Sequence, residues 1–250
     1  MNNNFVIDIG NSLVKIAHVD IENSNIFSKK AYGTKKLNEK SSEIVAQLLE
    51  FTNAKIYIAS ISPTALKELL HIIRNTHEII IIENKLFDSI SSNEFDINEI
   101  GVDILASSYK ALKIYKKSLL ISCGTAIFSS LNFNNKLHGV LIMPSIVKSF
   151  SELSNRCELI NDFTLLDYSK SFGSNTNEAI TGGYFHMLQG TFESIIKFSK
   201  ENYDINNIII CGGNHKNLEN LLFDKNINLD FSKPDIVILG IIELVKDKKL

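Results

Sequence analysis

The sequence predicts an α/β protein built from two mixed sheets flanked by helices, one in each half of the chain. Three observations predict this. Short apolar runs rich in Val and Ile alternate with segments whose apolar residues recur at helical spacing, so strands alternate with helices. The order strand, small turn, strand, strand and then helices is written twice, from residue 5 and again from residue 118. With 44% hydrophobic and 22% charged residues over 250 positions, the composition is that of a globular chain able to bury a substantial core as one large domain or as two smaller ones.

The first strand, Phe5-Val6-Ile7-Asp8-Ile9, carries one carboxylate near its end, and Gly10-Asn11 punctuates a tight turn before 13–19 returns as the second strand. Residues 26–32 complete an antiparallel meander. Ile44, Leu48 and Phe51 give 42–51 a helical spacing ahead of a strand at 55–60. Ser62-Pro63 is a helix start, and the helix over 64–74 lines up Leu66, Leu69, Leu70 and Ile73. A buried strand follows at 78–82, and the polar, aperiodic stretch 84–99 reads as a loop. Gly101-Val102-Asp103 then opens a helix whose inward stripe is Leu105, Tyr109, Leu112 and Tyr115.

The second half repeats the plan. Residues 118–122 are a strand ending in the turn Cys123-Gly124-Thr125-Ala126, 127–133 returns, Asn134-Asn135 is a hairpin turn, and 137–143 is the third strand. A helix starts near Ser145, a polar loop covers 167–174, and a long helix runs over 178–201 to a strand at 207–211. Gly212-Gly213-Asn214 turns into a helix around Leu218, and 235–246 is a closing apolar helix. Such repetition points to a duplicated domain, with 84–99 lying over a cleft between the copies, where small ligands most often bind.

The chemistry sits in the turns. The first hairpin tip offers Asp8, Gly10, Asn11, Ser12 and Lys15, which suits a nucleotide phosphate: close backbone approach at Gly10, side-chain donors, a cation, and a carboxylate able to hold hydrated Mg²⁺. An ordinary β-turn has the same residues, and spacing alone does not separate the two readings. Asp103, before Ile104-Leu105-Ala106, fits a helix N-cap.

Other classes are disfavoured. A net charge of −2 and pI near 6.3 give no basic footprint for nucleic acid. Cys123, Cys157 and Cys211 lack metal-ligand spacing and read as reduced apolar fillers, and the six histidines form no paired motif and read as structural or surface residues. The N-terminus shows no signal-peptide pattern, and the longest apolar runs, such as Ile79-Ile80-Ile81-Ile82, are strand-length, so no membrane span is expected.

Five stretches, Asp8-Ile9-Gly10-Asn11-Ser12-Leu13-Val14-Lys15, Gly101-Val102-Asp103, Cys123-Gly124-Thr125-Ala126, Gly173-Ser174-Asn175-Thr176 and Cys211-Gly212-Gly213, fall in an order and spacing that resemble type III pantothenate kinases. The resemblance runs essentially end to end. It implies two RNase H-like domains of the actin and acetate-kinase type, 1–116 and 117–250, with an interdomain cleft. It implies ATP-dependent phosphorylation of pantothenate, the first step of coenzyme A biosynthesis, by a cytoplasmic homodimer using Mg²⁺ and a monovalent cation, K⁺ or NH₄⁺. By the same resemblance Asp8, Ile9, Gly10, Asn11, Ser12, Leu13, Val14, Lys15 and Thr125 bind ATP, with Asp8 as the Mg²⁺ ligand. Gly101, Val102, Asp103, Ile104 and Thr176 bind pantothenate, with Asp103 as catalytic base.

The chain also departs from that family. Ser122 stands where the family has the acid that binds the monovalent cation, and a neutral hydroxyl attracts a hard cation weakly. Ile104 stands where the family has an Arg for the pantothenate carboxylate. Losing one partner of a buried charge pair typically costs about 2–5 kcal/mol, and Lys110 is a candidate substitute. Val140 and Ser145 replace glycines, so the loop beside the substrate is expected to be reshaped. Glu94 stands where the family has Tyr, with Phe95 one position on. These differences keep two alternatives open: a relative that binds nucleotide without turnover, and a kinase for another small hydroxylated acceptor.

Overall fold

Phe5, Val6, Ile7 and Ile9 have no exposed surface, which puts the first strand, β1 (Asn4–Ile9), in the middle of a sheet rather than at an edge. The computed structural model describes residues 3–74, 76–92, 96–157, 172–213 and 228–250. The elements are β1, β2 (Leu13–Asp20), β3 (Asn25–Gly33), α1 (Ser41–Leu49), β4 (Lys55–Ser60), α2 (Pro63–Ile73), β5 (Glu78–Ile81), α3 (Val102–Ile114), β6 (Lys117–Cys123), β7 (Ala126–Phe133), β8 (Lys136–Pro144), α4 (Ile146–Arg156), α5 (Thr176–Tyr203), β9 (Asn207–Cys211), β10 (Asn228–Asp230) and α6 (Ile236–Lys248).

The strands form two five-stranded sheets, ordered β3-β2-β1-β4-β5 and β10-β9-β6-β7-β8. Read from their third members, the orders are the same, so the duplication written in the sequence is a duplication of topology. In the first sheet β1 is antiparallel to β2 and parallel to β4. In the second, β6 is parallel to β9 and β9 to β10. The chain groups into two compact units: 1–116 with 132–139 and 235–250, and 117–131 with 140–234. Together they make the α/β, RNase H-like fold of the actin and sugar-kinase class.

Side chains alternate across a strand. Phe5, Ile7 and Ile9 therefore share one face, where they join Ile44 and Leu48 of α1 and Ala65, Leu69 and Ile73 of α2 in one core. Val6 and Asp8 take the other face, on the side where α6 packs against β1. That period-two arithmetic puts the Asp8 carboxylate on the α3 and α6 side of the sheet.

Three features differ from the sequence reading. The stretch 84–99 is not a plain loop: it holds 3₁₀ turns at Asn84–Ile90 and Ile97–Glu99, and buried Phe87 meets Tyr109 of α3 edge-on at 5.8 Å. The Asn84 side-chain amide fastens it by donating to the Ile97 and Ile100 carbonyls at 2.9 and 2.8 Å. Short 3₁₀ turns leave no 3.6-residue stripe to read. Two more, Thr34–Lys36 and Asn38–Lys40, and the three-residue strand β10 had no periodic signal either. Finally, α5 begins at Thr176 because Asn175 caps it, its Oδ1 accepting the Glu178 N–H at 3.0 Å, while Glu178 reaches back to the Ser174 N–H at 2.8 Å.

His18 stacks on Phe51 at 3.9 Å and His138 on Phe133 at 3.6 Å, and no disulfide joins Cys123, Cys157 or Cys211. No helix among the described residues is long and apolar enough to cross a membrane. The readings at Glu94, Phe95, most of 167–174, Asn214, His215 and the helix around Leu218 lie outside the described residues.

Candidate active site

At the end of β1, Asp8 faces Lys15 across the β1–β2 ladder and the two form an ion pair of 3.1 Å. Asp8 is buried, at 7% exposure, whereas Asn11, Ser12 and Leu13 stand exposed at the turn. Ile9 and Val14 are buried beneath it. The Gly10 N–H is committed to the fold, donating to the Leu13 carbonyl at 2.9 Å. Close approach of a ligand therefore falls to the tip, 11–13, rather than to the Gly10 amide.

Asp103 lies in the first turn of α3 as its second residue, and the N-cap is Gly101. This corrects the N-cap reading of Asp103. The Asp103 Oδ1 instead accepts the Ile104 N–H at 2.9 Å, with the carboxylate folded back over residue 101. A Cβ on Gly101 would stand 2.5 Å from that oxygen, so glycine is required there for the carboxylate to hold its place. Burial, and then the negative charge of Asp8, push the Asp103 carboxyl above the usual carboxylate range, and Lys15 pulls it part of the way back. The first unit thus brings Asp8, Lys15, Gly101, Val102 and Asp103 to one end of one sheet. Ile104 turns inward, 5% exposed.

The second unit carries an analogous turn. Gly124 N–H donates to the Ala126 carbonyl at 3.0 Å, closing a two-residue tip on which Thr125 is exposed. Ser122 pairs in register with Cys211 of β9. Gly212 follows at φ +90°, where a Cβ would meet the Cys123 backbone at 2.5 Å, so only glycine lets the ends of β6 and β9 approach so closely. Thr176 is exposed at the N-terminus of α5.

Lys110 does not stand in for the missing Arg. It lies two turns down α3 from Asp103 and pairs with Glu243 of α6 at 2.6 Å. Val140 is an ordinary strand residue of β8, and Ser145 caps α4, its hydroxyl oxygen accepting the Lys148 N–H at 3.4 Å. Neither position adopts a conformation that needs glycine.

The two cofactor sites fit differently. Asp8 and Asp103 are two carboxylates close enough for one to raise the other's pKa, and Mg²⁺ is commonly held by one or two carboxylates plus substrate phosphates. Among the described residues no group of three or more His, Cys, Asp or Glu side chains could hold a metal ion. The run Ser122-Cys123-Gly124 offers no carboxylate, only hydroxyl and carbonyl oxygens that hold a monovalent cation more weakly.

Thr34, outside every motif of the sequence, also reaches the 10–13 turn. Its hydroxyl donates to the Gly10 carbonyl at 2.9 Å and its N–H to the Ser12 carbonyl at 3.0 Å. The signal was available in the meander: pairing Leu13 with Gly33 sets Thr34 beside Ser12.

Comparison with known proteins agrees with this arrangement. A type III pantothenate kinase from Mycoplasma mobile is 26% identical over 232 residues, covering 88% of this chain and 91% of the relative. The fold matches that of a conserved Campylobacter jejuni protein assigned to the Baf family of transcriptional activators, with TM-score 0.63, 19% identity and 98% of each chain covered. It also matches the inorganic polyphosphate/ATP-glucomannokinase of Arthrobacter sp. strain KM, with TM-score 0.51, 15% identity and all of both chains covered. The sequence profile described as type III pantothenate kinase matches residues 4–198, and the chain belongs to that family of kinases.

Proposed function

We propose that this chain transfers the γ-phosphoryl group of ATP to the hydroxyl of pantothenate, giving 4′-phosphopantothenate on the route to coenzyme A, as a cytoplasmic homodimer. The observation that carries the proposal is the grouping of Asp103 with Asp8 and Lys15 at the end of β1. Asp103 accepts the hydroxyl proton as the alcohol attacks, and its raised pKa brings it nearer the operating pH, where a general base works best. Gly101 and the Ile104 N–H hold that carboxylate in one orientation. Lys15 and the exposed 11–13 tip balance the charge that spreads over the transferring phosphoryl group. Asp8 would hold Mg²⁺, which when bound supplies charge neutralisation at the phosphates. On the second unit Thr125 contacts ATP and Thr176 contacts pantothenate.

Purified chain supplied with ATP, Mg²⁺ and pantothenate should release ADP in proportion to pantothenate consumed, and Asp103→Asn should not. Absence of turnover at millimolar pantothenate, with nucleotide still bound in calorimetry, would leave a binding protein rather than an enzyme.

One observation favours a second acceptor. Ile104 is buried and Lys110 is tied to Glu243, so neither of these two positions supplies a cation to the pantothenate carboxylate. An uncharged hydroxylated acceptor would need no such cation. A panel of small alcohols assayed beside pantothenate decides it by the higher kcat/KM.

A further inference from the structure

We infer that Thr34 is the positioning residue of the phosphate-binding tip, fixing the peptide plane that aims its backbone donor at the nucleotide. The inference rests on the reading of the 10–13 turn as an ATP phosphate contact. The β2–β3 ladder ends where Leu13 pairs with Gly33. One residue further, the Thr34 N–H continues the pattern to the Ser12 carbonyl at 3.0 Å. Its hydroxyl then reaches past the ladder to the Gly10 carbonyl at 2.9 Å. Thr34 is 8% exposed, so its hydroxyl meets Gly10 with little competition from water.

Peptide planarity turns this carbonyl contact into a statement about the next amide. Across a trans peptide the C=O of one residue and the N–H of the next point in opposite directions. Holding the Gly10 carbonyl against Thr34 therefore turns the Asn11 N–H away from Thr34, at the exposed tip. If the Gly10–Asn11 peptide flipped, it would present a carbonyl oxygen where the amide had been, and an oxygen repels a phosphate. Gly10 and Asn11 are residue types that tolerate such a flip, so the turn needs an outside brace. The hydroxyl of Thr34 is that brace, and because it acts through the backbone it touches no ligand itself.

Valine keeps the shape of threonine and deletes the donor. Calorimetry of the full chain with a non-hydrolysable ATP analogue and Mg²⁺ should show Thr34→Val binding about tenfold more weakly, the worth of one ordinary hydrogen bond. The KM for ATP should rise with it while the KM for pantothenate stays unchanged. Thr34→Ser, which keeps the hydroxyl, should restore both, and Thr34→Ala offers a smaller replacement should valine disturb folding. A Thr34→Val protein that unfolds earlier yet binds the analogue as tightly as the native chain would overturn the inference, leaving Thr34 a structural brace alone. If the native chain itself bound no nucleotide, the phosphate reading of the tip would fall and take this inference with it.

Discussion

Gly240 of α6 lies against the backbone of Ala106 in α3 so closely that a Cβ at 240 would stand 1.8 Å from the Ala106 carbonyl oxygen. No rotamer relieves that contact, because the atom it meets is backbone. Gly240→Ala should force α3 and α6 apart and cost about 1–3 kcal/mol of stability, read by urea or thermal unfolding. Since α3 carries Asp103 one turn away from Ala106, turnover should fall further than the unfolded fraction explains.

Lys110 and Glu243 hold the same two helices together through a largely buried pair at 2.6 Å, with side chains only 15% and 17% exposed. Lys110→Met leaves Glu243 without its cation and should destabilise the fold by about 1–3 kcal/mol, less than a fully buried pair would lose. The double variant Lys110→Met with Glu243→Leu should recover most of it. Pantothenate KM should not change in either protein; a large rise would show that Lys110 serves the substrate after all.

Asp103 makes neutral-pH stability worse, not better. Its carboxyl titrates above the usual 3.8, so between that value and its native one the folded state binds more protons than the unfolded state. Stability contributed by this group therefore falls as pH rises through the window and stays lowered above it. Asp103→Asn should be more stable than the native chain at pH 7, with the difference closing towards pH 3.8. Its kcat should drop about 10²–10⁴-fold, the worth of a positioned general base. Gain of stability together with loss of rate is the pattern expected of a strained functional group.

After burial, the charge of Asp8 is the second cause of that shift. Asp8→Asn removes the negative charge facing Asp103, so the Asp103 carboxyl should become more acidic and the acid limb of the pH–rate profile should move to lower pH. The same variant should need more Mg²⁺ for half-maximal rate, by about tenfold or more. An unmoved acid limb would mean that the limb reports another group.

Ser122 gives a cation test. Replacing K⁺ by Na⁺ in the assay should leave the rate unchanged, because the run at 122–124 has no carboxylate to hold K⁺. Ser122→Asp should confer a K⁺ dependence if the end of β6 can be rebuilt into a cation site.

The fold was legible where pattern and length were unambiguous. Phe5, Val6, Ile7 and Ile9 read as a covered strand, Ser62-Pro63 as a helix start, and the second strand–turn–strand run as a copy of the first, and each of these is an element of the structure. The 3₁₀ turns at 34–40 and 84–99 were not legible, since short 3₁₀ turns carry no 3.6-residue amphipathic period and are held by side-chain bonds such as the two from Asn84.

The duplicated α/β plan, the two small turns and the membership of the family can be read from the residues alone, because strand alternation and turn chemistry are local properties. The folded chain was needed to see that Asp8 and Asp103 share one side of a sheet, that Gly101 rather than Asp103 caps α3, that Lys110 is spent on Glu243, and that Thr34 grips the first turn. All of these but the cap of α3 join residues from separate elements. Which side chains meet there is set by strand register and helix packing, and neither is written within any one segment of the chain.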